Sequence, residues 1–289
     1  MSDAARTVEA ITDDRWRLRG AHLAPTSAAG VCAVLGHAMM VDRRTLDRPR
    51  GHGLASTLCA RGIDVLELDV RGHGESGPSA REGGQWSYED IVRHDVPTIV
   101  ALARARFPHH RVVVVGHSLV GHAALFAAGA FPDRAPDAIV ALAANVWLPH
   151  CEPSRRRRAL KGALLAAFEL TARAAGRFPT RVLRMGTDDE PVPYVREFRR
   201  IWRADAFIGT DGTDYTRALT RVRIPVLAIS SRGDRLLAHP AAVTRFLTPI
   251  PRQLVTHRVV DAGGHMALVS SIRSAPVWHD IADWLLAAR

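Results

Sequence analysis

A single lysine, Lys161, stands among 39 basic side chains in this chain of 289 residues; the other 38 are arginine. An imbalance of that kind reads as a codon-usage signature rather than as a phosphate-binding surface. The net charge of +10 comes with no aromatic-interleaved basic groove and no helix-turn-helix pattern, so no nucleic-acid partner is expected. Cysteine is scarce too. Cys32, Cys59 and Cys151 are too widely spaced for a disulfide framework or a zinc site, which suits the cytoplasm. No window approaches the ~20 consecutive apolar residues of a membrane span. The polar opening Met1-Ser2-Asp3-Ala4-Ala5-Arg6 has no apolar stretch of the secretory kind after it. Dinucleotide, Walker and H-E-x-x-H motifs are missing, and His109-His110 has no neighbouring ligands at metal spacing and reads as a solvated turn. No cofactor or metal is expected.

What the chain does have is apolar content, 47% of its residues, enough for one large core with room for an insertion. From about residue 30 strand-like and helix-like segments alternate. Val31 to Leu35, Asp64 to Asp69, Arg111 to Val115 and Ala138 to Leu142 read as strands; Leu54 to Ala60, Ile91 to Phe107 and Leu119 to Ala130 read as helices. That alternation predicts an α/β fold, a mostly parallel sheet with helices on both faces. From Trp147 to about Val222 the composition shifts to arginine, aromatics and helix formers, broken at Pro179, Gly186, Pro191, Pro193, Gly209 and Gly212. Strand patterning resumes at Ile224 to Ile229 and His257 to Val260, and a last helix runs through Trp278 to Leu286. The expectation is a core of residues 1–146 and 223–289, with a mainly helical insertion, 147–222, closing over the end of the sheet.

Gly116-His117-Ser118-Leu119-Val120-Gly121 follows directly on the β-branched run Val112 to Val115, placing Ser118 at a strand-to-helix corner with its Oγ above the sheet. The G-x-S-x-G pattern would have glycine at position 120; here Val120 stands there and Gly121 comes one residue later. A serine hydroxyl is a weak nucleophile and needs a base, and the base needs an orienting group. Ser230-Ser231-Arg232-Gly233-Asp234 supplies a carboxylate beyond a strand's carboxyl end, and Ala262-Gly263-Gly264-His265 supplies an imidazole in the same way. Ligands and catalytic groups gather at that end of open α/β sheets.

Together with Gly36-His37-Ala38-Met39 and Asp69-Val70-Arg71-Gly72-His73-Gly74-Glu75-Ser76, these segments resemble the α/β-hydrolase superfamily, in particular its capped serine hydrolases of the esterase and lipase type. The resemblance runs over roughly residues 20 to 289 and is weakest in the insertion. It implies that Ser118 is the nucleophile, Asp234 the triad acid and His265 the general base. The oxyanion hole would use the backbone N–H groups of Leu119 and Met39. Ala38 replaces the family's usual glycine, and Ala38, Trp147 and Trp202 are the expected substrate-lining residues. His117 and His73 match structural positions of the elbow and of the Arg71-Gly72-His73-Gly74 loop. The activity implied is cofactor-independent cleavage of a carboxylic ester, or a related small acyl compound, through an acyl-enzyme. Acyl transfer, thioester hydrolysis, amide or aminopeptidase chemistry, and a non-catalytic ligand-binding role are the alternatives.

Inside the insertion, Asp188-Asp189-Glu190 and Glu197 read as a solvated acidic loop among arginines, or as groups for a substrate's α-amino end. Trp147, Phe168, Phe198 and Trp202 line an acyl pocket or make the insertion's own core. Arg155 to Arg158 reads as a solvated helix face, the competing reading being attraction of anionic substrates or lipids. Oligomeric state is left open, and Trp278 and Trp284 are expected to pack internally.

Overall fold

The computed structural model describes residues 6–287. Eight strands form one sheet in the order β1 (Arg6–Ile11), β2 (Arg17–Leu23), β4 (Asp64–Leu68), β3 (Val31–Gly36), β5 (Arg111–His117), β6 (Ala138–Leu142), β9 (Val226–Ser231) and β10 (Val255–Val260). β1 (Arg6–Ile11) and β2 (Arg17–Leu23) make an antiparallel edge that the sequence reading passed over. β2 alternates buried and open residues, the pattern of a strand covered on one face. From there inward the sheet is parallel: β3 (Val31–Gly36), then α1 (Leu54–Ala60) crossing to β4 (Asp64–Leu68), whose partners are β3 and, antiparallel, β2.

The helix expected over 91–107 is composite. It begins as α2 (Tyr88–Asp90), widens to a π turn over Ile91–Asp95 and continues as α3 (Val96–Arg106). Pro97, in the first turn of α3, has no N–H to donate, and the Val96 N–H reaches back to the Ile91 carbonyl. β5 (Arg111–His117) follows, its residues from Val112 onward buried on both faces, then α4 (Leu119–Ala130) and β6 (Ala138–Leu142).

The segment between β6 and the next strand of the main sheet contains α5 (Arg155–Ala175), a two-residue antiparallel pair β7 (Arg177–Phe178) and β8 (Glu190–Pro191), α6 (Val192–Ala204) and α7 (Tyr215–Ala218). α5 and α6 pack on each other, while α7 lies on α4, so close that a Cβ on Gly129 would stand 2.2 Å from the Ala218 carbonyl oxygen. The last part of the insertion thus rests on a core helix.

β9 (Val226–Ser231), α8 (Pro240–Leu247), the edge strand β10 (Val255–Val260), α9 (Ala267–Ser270) and α10 (Ala275–Ala287) complete the chain. Trp278 is fully buried and donates from Nε1 to the Leu268 carbonyl at 2.7 Å, and Trp284 packs partly buried against the same core.

Four arginines in the first turn of α5 oppose the helix dipole. Buried Glu152, just before the helix, offsets them: it accepts from Arg157 and from Lys161, both at 2.9 Å, and its carbonyl accepts from Arg158. Arg155 and Arg156 face solvent. The lone lysine is itself buried, its ammonium 5.2 Å from the Trp147 ring centre. Among the described residues no helix is long and apolar enough to cross a membrane.

The register aligns the parallel strands at one edge: Gly36 pairs with Gly116, His117 with Leu142, and Leu142 with Ile229. The loops after β3, β5, β9 and β10 therefore emerge side by side.

Candidate active site

Ser118 occupies the corner between β5 and α4 with φ 48° and ψ −104°. A non-glycine residue there stores about 1–3 kcal/mol, sustained only where its surroundings over-determine it. They do so here: the Ser118 N–H donates to the Leu142 carbonyl at 2.8 Å, and the Ser118 carbonyl accepts from His122 N–H at 3.0 Å. The departure at Val120 is accommodated on both sides. Val120 fills the space over Gly36, where a Cβ would come 2.1 Å from its Cγ1. Gly121 takes over the close backbone approach, since a Cβ on it would stand 2.6 Å from the Gly116 carbonyl oxygen and 2.9 Å from the Ala144 Cβ.

His265 and Asp234 come together from separate loops. His265 Nδ1 lies 2.6 Å from Asp234 Oδ2, and the carboxylate also accepts from the N–H groups of Leu237 (2.9 Å) and Ala238 (3.0 Å). Burial alone would raise the Asp234 carboxyl, but the hydrogen bond and charge of His265 and these two amides hold it below its ordinary value. His117, next to the serine, stacks its ring 4.9 Å from that of His265 and donates from Nε2 to the His265 carbonyl at 3.2 Å. Burial, and then the neighbouring His265, push His117 well below the usual histidine range, so it is a neutral prop for the His265 loop.

The loop after β3 carries the other expected donor. Among the described residues neither the Leu119 nor the Met39 N–H has an acceptor in the protein, while Val120 N–H bonds weakly to the His37 carbonyl at 3.4 Å. Ala38 is buried without a left-handed backbone; Met40 takes that conformation instead, with φ 65°. The insertion fixes Met40 firmly. Its N–H donates to Glu190 Oε1 at 2.8 Å, and its carbonyl accepts from Thr187 (2.8 Å) and Asp188 (3.1 Å).

Glu190 is fully buried and its Oε1 also lies 3.1 Å from His73 Nε2. His73 donates from Nδ1 to the Arg71 carbonyl at 2.9 Å. With both nitrogens donating it is an imidazolium: burial opposes that charge, but Glu190 outweighs it and lifts the ring to about 9. His37, 5.1 Å away ring to ring, goes the opposite way, pushed down to about 4 by burial and then by His73.

These contacts replace the solvated reading of the insertion's acids. Asp189, Glu190 and Glu197 are buried, because each has a partner to satisfy: Asp189 accepts from Arg177 at 2.9 Å, and Glu197 accepts from Arg200 and from the Glu89 N–H, both at 2.8 Å. Trp147 donates from Nε1 to the carbonyl of Leu237, the residue whose own N–H holds Asp234. Trp202 packs across α5, its Nε1 3.0 Å from where a Cβ on Gly162 would stand, and Phe168 packs on Phe178 at 4.6 Å, both inside the insertion. Phe198 reaches the core instead, 4.8 Å from the Tyr88 ring.

Of the residues at the centre, Glu190 was named in sequence only within an acidic run, with no sign of its bond to Met40, and His122 was missed. The signal for His122 was its spacing: it follows Ser118 by four residues on α4, one turn along the same face.

The family model of the serine aminopeptidases, S33, matches residues 47–270. The chain belongs to this family. Its fold is that of the α/β-hydrolases, and solved structures agree along nearly the whole length. An esterase of Pyrococcus furiosus is 17% identical, with 97% of this chain and 91% of that one covered and a TM-score of 0.63. The esterase domain of a Rhodothermus marinus protein is 16% identical, covering 99% of each chain, with a TM-score of 0.60. A monoacylglycerol lipase of Paleococcus ferrophilus is 17% identical over 93% of this chain and 98% of that one, with a TM-score of 0.61. The family assignment places the chain among the hydrolases, and the solved structures share its fold.

Proposed function

We propose that the protein is a serine hydrolase that cleaves a carboxylic ester, or a related small acyl compound, through an acyl-enzyme. The observation that carries this reading is the His265–Asp234 pair at 2.6 Å, set beside an elbow whose serine is held at φ 48°. Asp234 orients the imidazole so that Nε2 is its basic nitrogen, and Nε2 takes the Ser118 proton as Oγ attacks the carbonyl. The oxyanion is met by the free N–H groups of Leu119 and Met39, at the N-terminus of α4 and in the loop after β3. His265 passes the proton to the leaving alkoxide; water, deprotonated in turn by His265, releases the acid and frees Ser118.

Residues 147–222 act as the cap over this site, with Trp147 at its rim. Peptide substrates are disfavoured, because Asp189, Glu190 and Glu197 already pair with groups of the protein and do not await a substrate's ammonium. Three unpaired cysteines suit action in the cytoplasm.

A fluorophosphonate probe tests the reading directly: it labels Ser118 in the folded protein, whereas failure to label favours a ligand-binding role. Ser118→Ala and His265→Ala each lower turnover of a short-chain aryl ester at least ~10³-fold. Unchanged rates in either variant overturn the mechanism. Product analysis with added alcohols separates hydrolysis, which yields free acid, from acyl transfer.

A further inference from the structure

His122 is a neutral hydrogen-bond donor with no acceptor for its bond among the described residues. Side chains on a helix lean toward its N-terminus and share a face at i and i+4, so the imidazole stands on the Ser118 side of α4. The ring is packed edge-on to Tyr88 at 5.3 Å and to Phe198 of the insertion at 6.4 Å, which places it where core and insertion meet.

Its tautomer follows from Tyr88. The Tyr88 hydroxyl lies 2.6 Å from His122 Nδ1 and has no other partner among the described residues, although Tyr88 is fully buried. Were Nδ1 the donor, the phenol proton would be stranded, at a cost of about 1–3 kcal/mol. The phenol therefore donates, and the imidazole proton is on Nε2. Burial, and then His265, push His122 down to about 3, so the ring carries no charge at neutral pH. Among the described residues Nε2 has no acceptor, and it is not one of the polar atoms sealed inside the protein.

We propose that the His122 Nε2–H binds substrate, selecting acyl compounds that carry a second, uncharged acceptor oxygen a few bonds from the scissile carbonyl. The span is that of one helical turn, roughly 5–6 Å. The oxygen is uncharged because the neutral ring and its aromatic neighbours offer no countercharge to a desolvated carboxylate. An ether, hydroxyl or carbonyl oxygen satisfies the donor; a methylene in its place leaves it unpaired, which is how a polar site rejects an apolar analogue. The inference rests on Ser118 being the nucleophile.

Matched esters test it. On the acyl side, phenyl methoxyacetate is compared with phenyl butanoate; on the alcohol side, 2-methoxyethyl butanoate with butyl butanoate. In each pair one oxygen replaces one methylene. His122→Phe is expected to lower the oxygen preference about 10-fold in one pair, the yield of a single hydrogen bond. An unchanged preference in both pairs overturns the proposal. Nitrogen-15 chemical shifts of His122 at neutral pH give a readout independent of turnover: the Nε2–H tautomer is expected, and the Nδ1–H tautomer overturns the proposal. Should the wild type hydrolyse none of the four esters, the hydrolase reading fails instead, and the tautomer still decides whether His122 presents a donor.

Discussion

Replacing Glu190 by glutamine keeps the shape of a fully buried side chain and removes the countercharge of His73. In the wild type, His73 is lifted from 6.5 to about 9, burial opposing the charge and Glu190 prevailing. A ring that binds its proton more tightly when folded stabilises the fold fully below about pH 6.5, and that contribution is lost as the pH climbs through about 9. The difference amounts to about 3 kcal/mol. In Glu190→Gln the largest opposing charge is gone, only Asp188 and the Arg71 carbonyl still work against burial, and this slope flattens. Because His73 can shed its proton, the variant loses about 3 kcal/mol near neutral pH, the low end of the range for breaking a buried pair.

Urea unfolding of both proteins from about pH 6 to about pH 9.5 measures this. Glu67 titrates in the same window, its carboxyl pushed up to about 8 chiefly by burial. It is common to both proteins, so the difference between the two curves isolates the Glu190–His73 pair. That difference is expected to shrink as the pH rises. Parallel curves refute the reasoning. Ester turnover supplies a second arm, since Met40 N–H loses its charged acceptor and the neighbouring Met39 donor loosens; a fall of roughly 10-fold or more is expected at pH 7.

Val120→Gly, which restores the common elbow pattern, is expected to destabilise the protein by about 2–4 kcal/mol, because it empties the space over Gly36 and puts glycine in a helix; a stabilised variant in thermal melts contradicts the packing argument. Gly121→Ala drives a Cβ to within 2.6 Å of the Gly116 carbonyl, so both melting temperature and ester turnover fall. Asp234→Asn leaves His265 free to take the wrong tautomer and lowers kcat by about 10⁴-fold with little change in KM; a loss confined to KM argues against the triad.

The elements that position the site were legible because their patterns are local. β3, β5 and β6 are short apolar runs, and each chemical residue stands just past the end of a strand: Ser118 after His117, Asp234 after Ser231, His265 after Val260. β1 and β2 escaped notice because an edge hairpin half open to solvent lacks the continuous apolar run of a buried strand. The acids of the insertion were misjudged for a related reason. Asp189 is satisfied by Arg177 and the Arg181 N–H of its own segment, but what buries Glu190 is a pair of partners far away along the chain, Met40 and His73, which composition does not reveal. Val120 departs from the motif in sequence, and what makes room for it is Gly36, 84 residues earlier.

That long-range pairing changes what the insertion is for. A detachable lid would touch the core through apolar surface and release it on opening, but here Thr187, Asp188 and Glu190 hydrogen-bond both sides of the Met40 peptide, and Glu197 and Thr210 bond the segment around Glu89. Glu89 lies in the first turn of the composite helix that leads to β5, and Tyr88 beside it sets the tautomer of His122. The loop after β3, the segment that holds His122 and the insertion are therefore one polar assembly. Moving the insertion as a rigid body would break buried hydrogen bonds to a charged carboxylate, each worth about 1.5–3 kcal/mol. Substrate access is then expected to come through side chains at the rim, such as Trp147 and Leu237, while the Glu190 anchor stays in place.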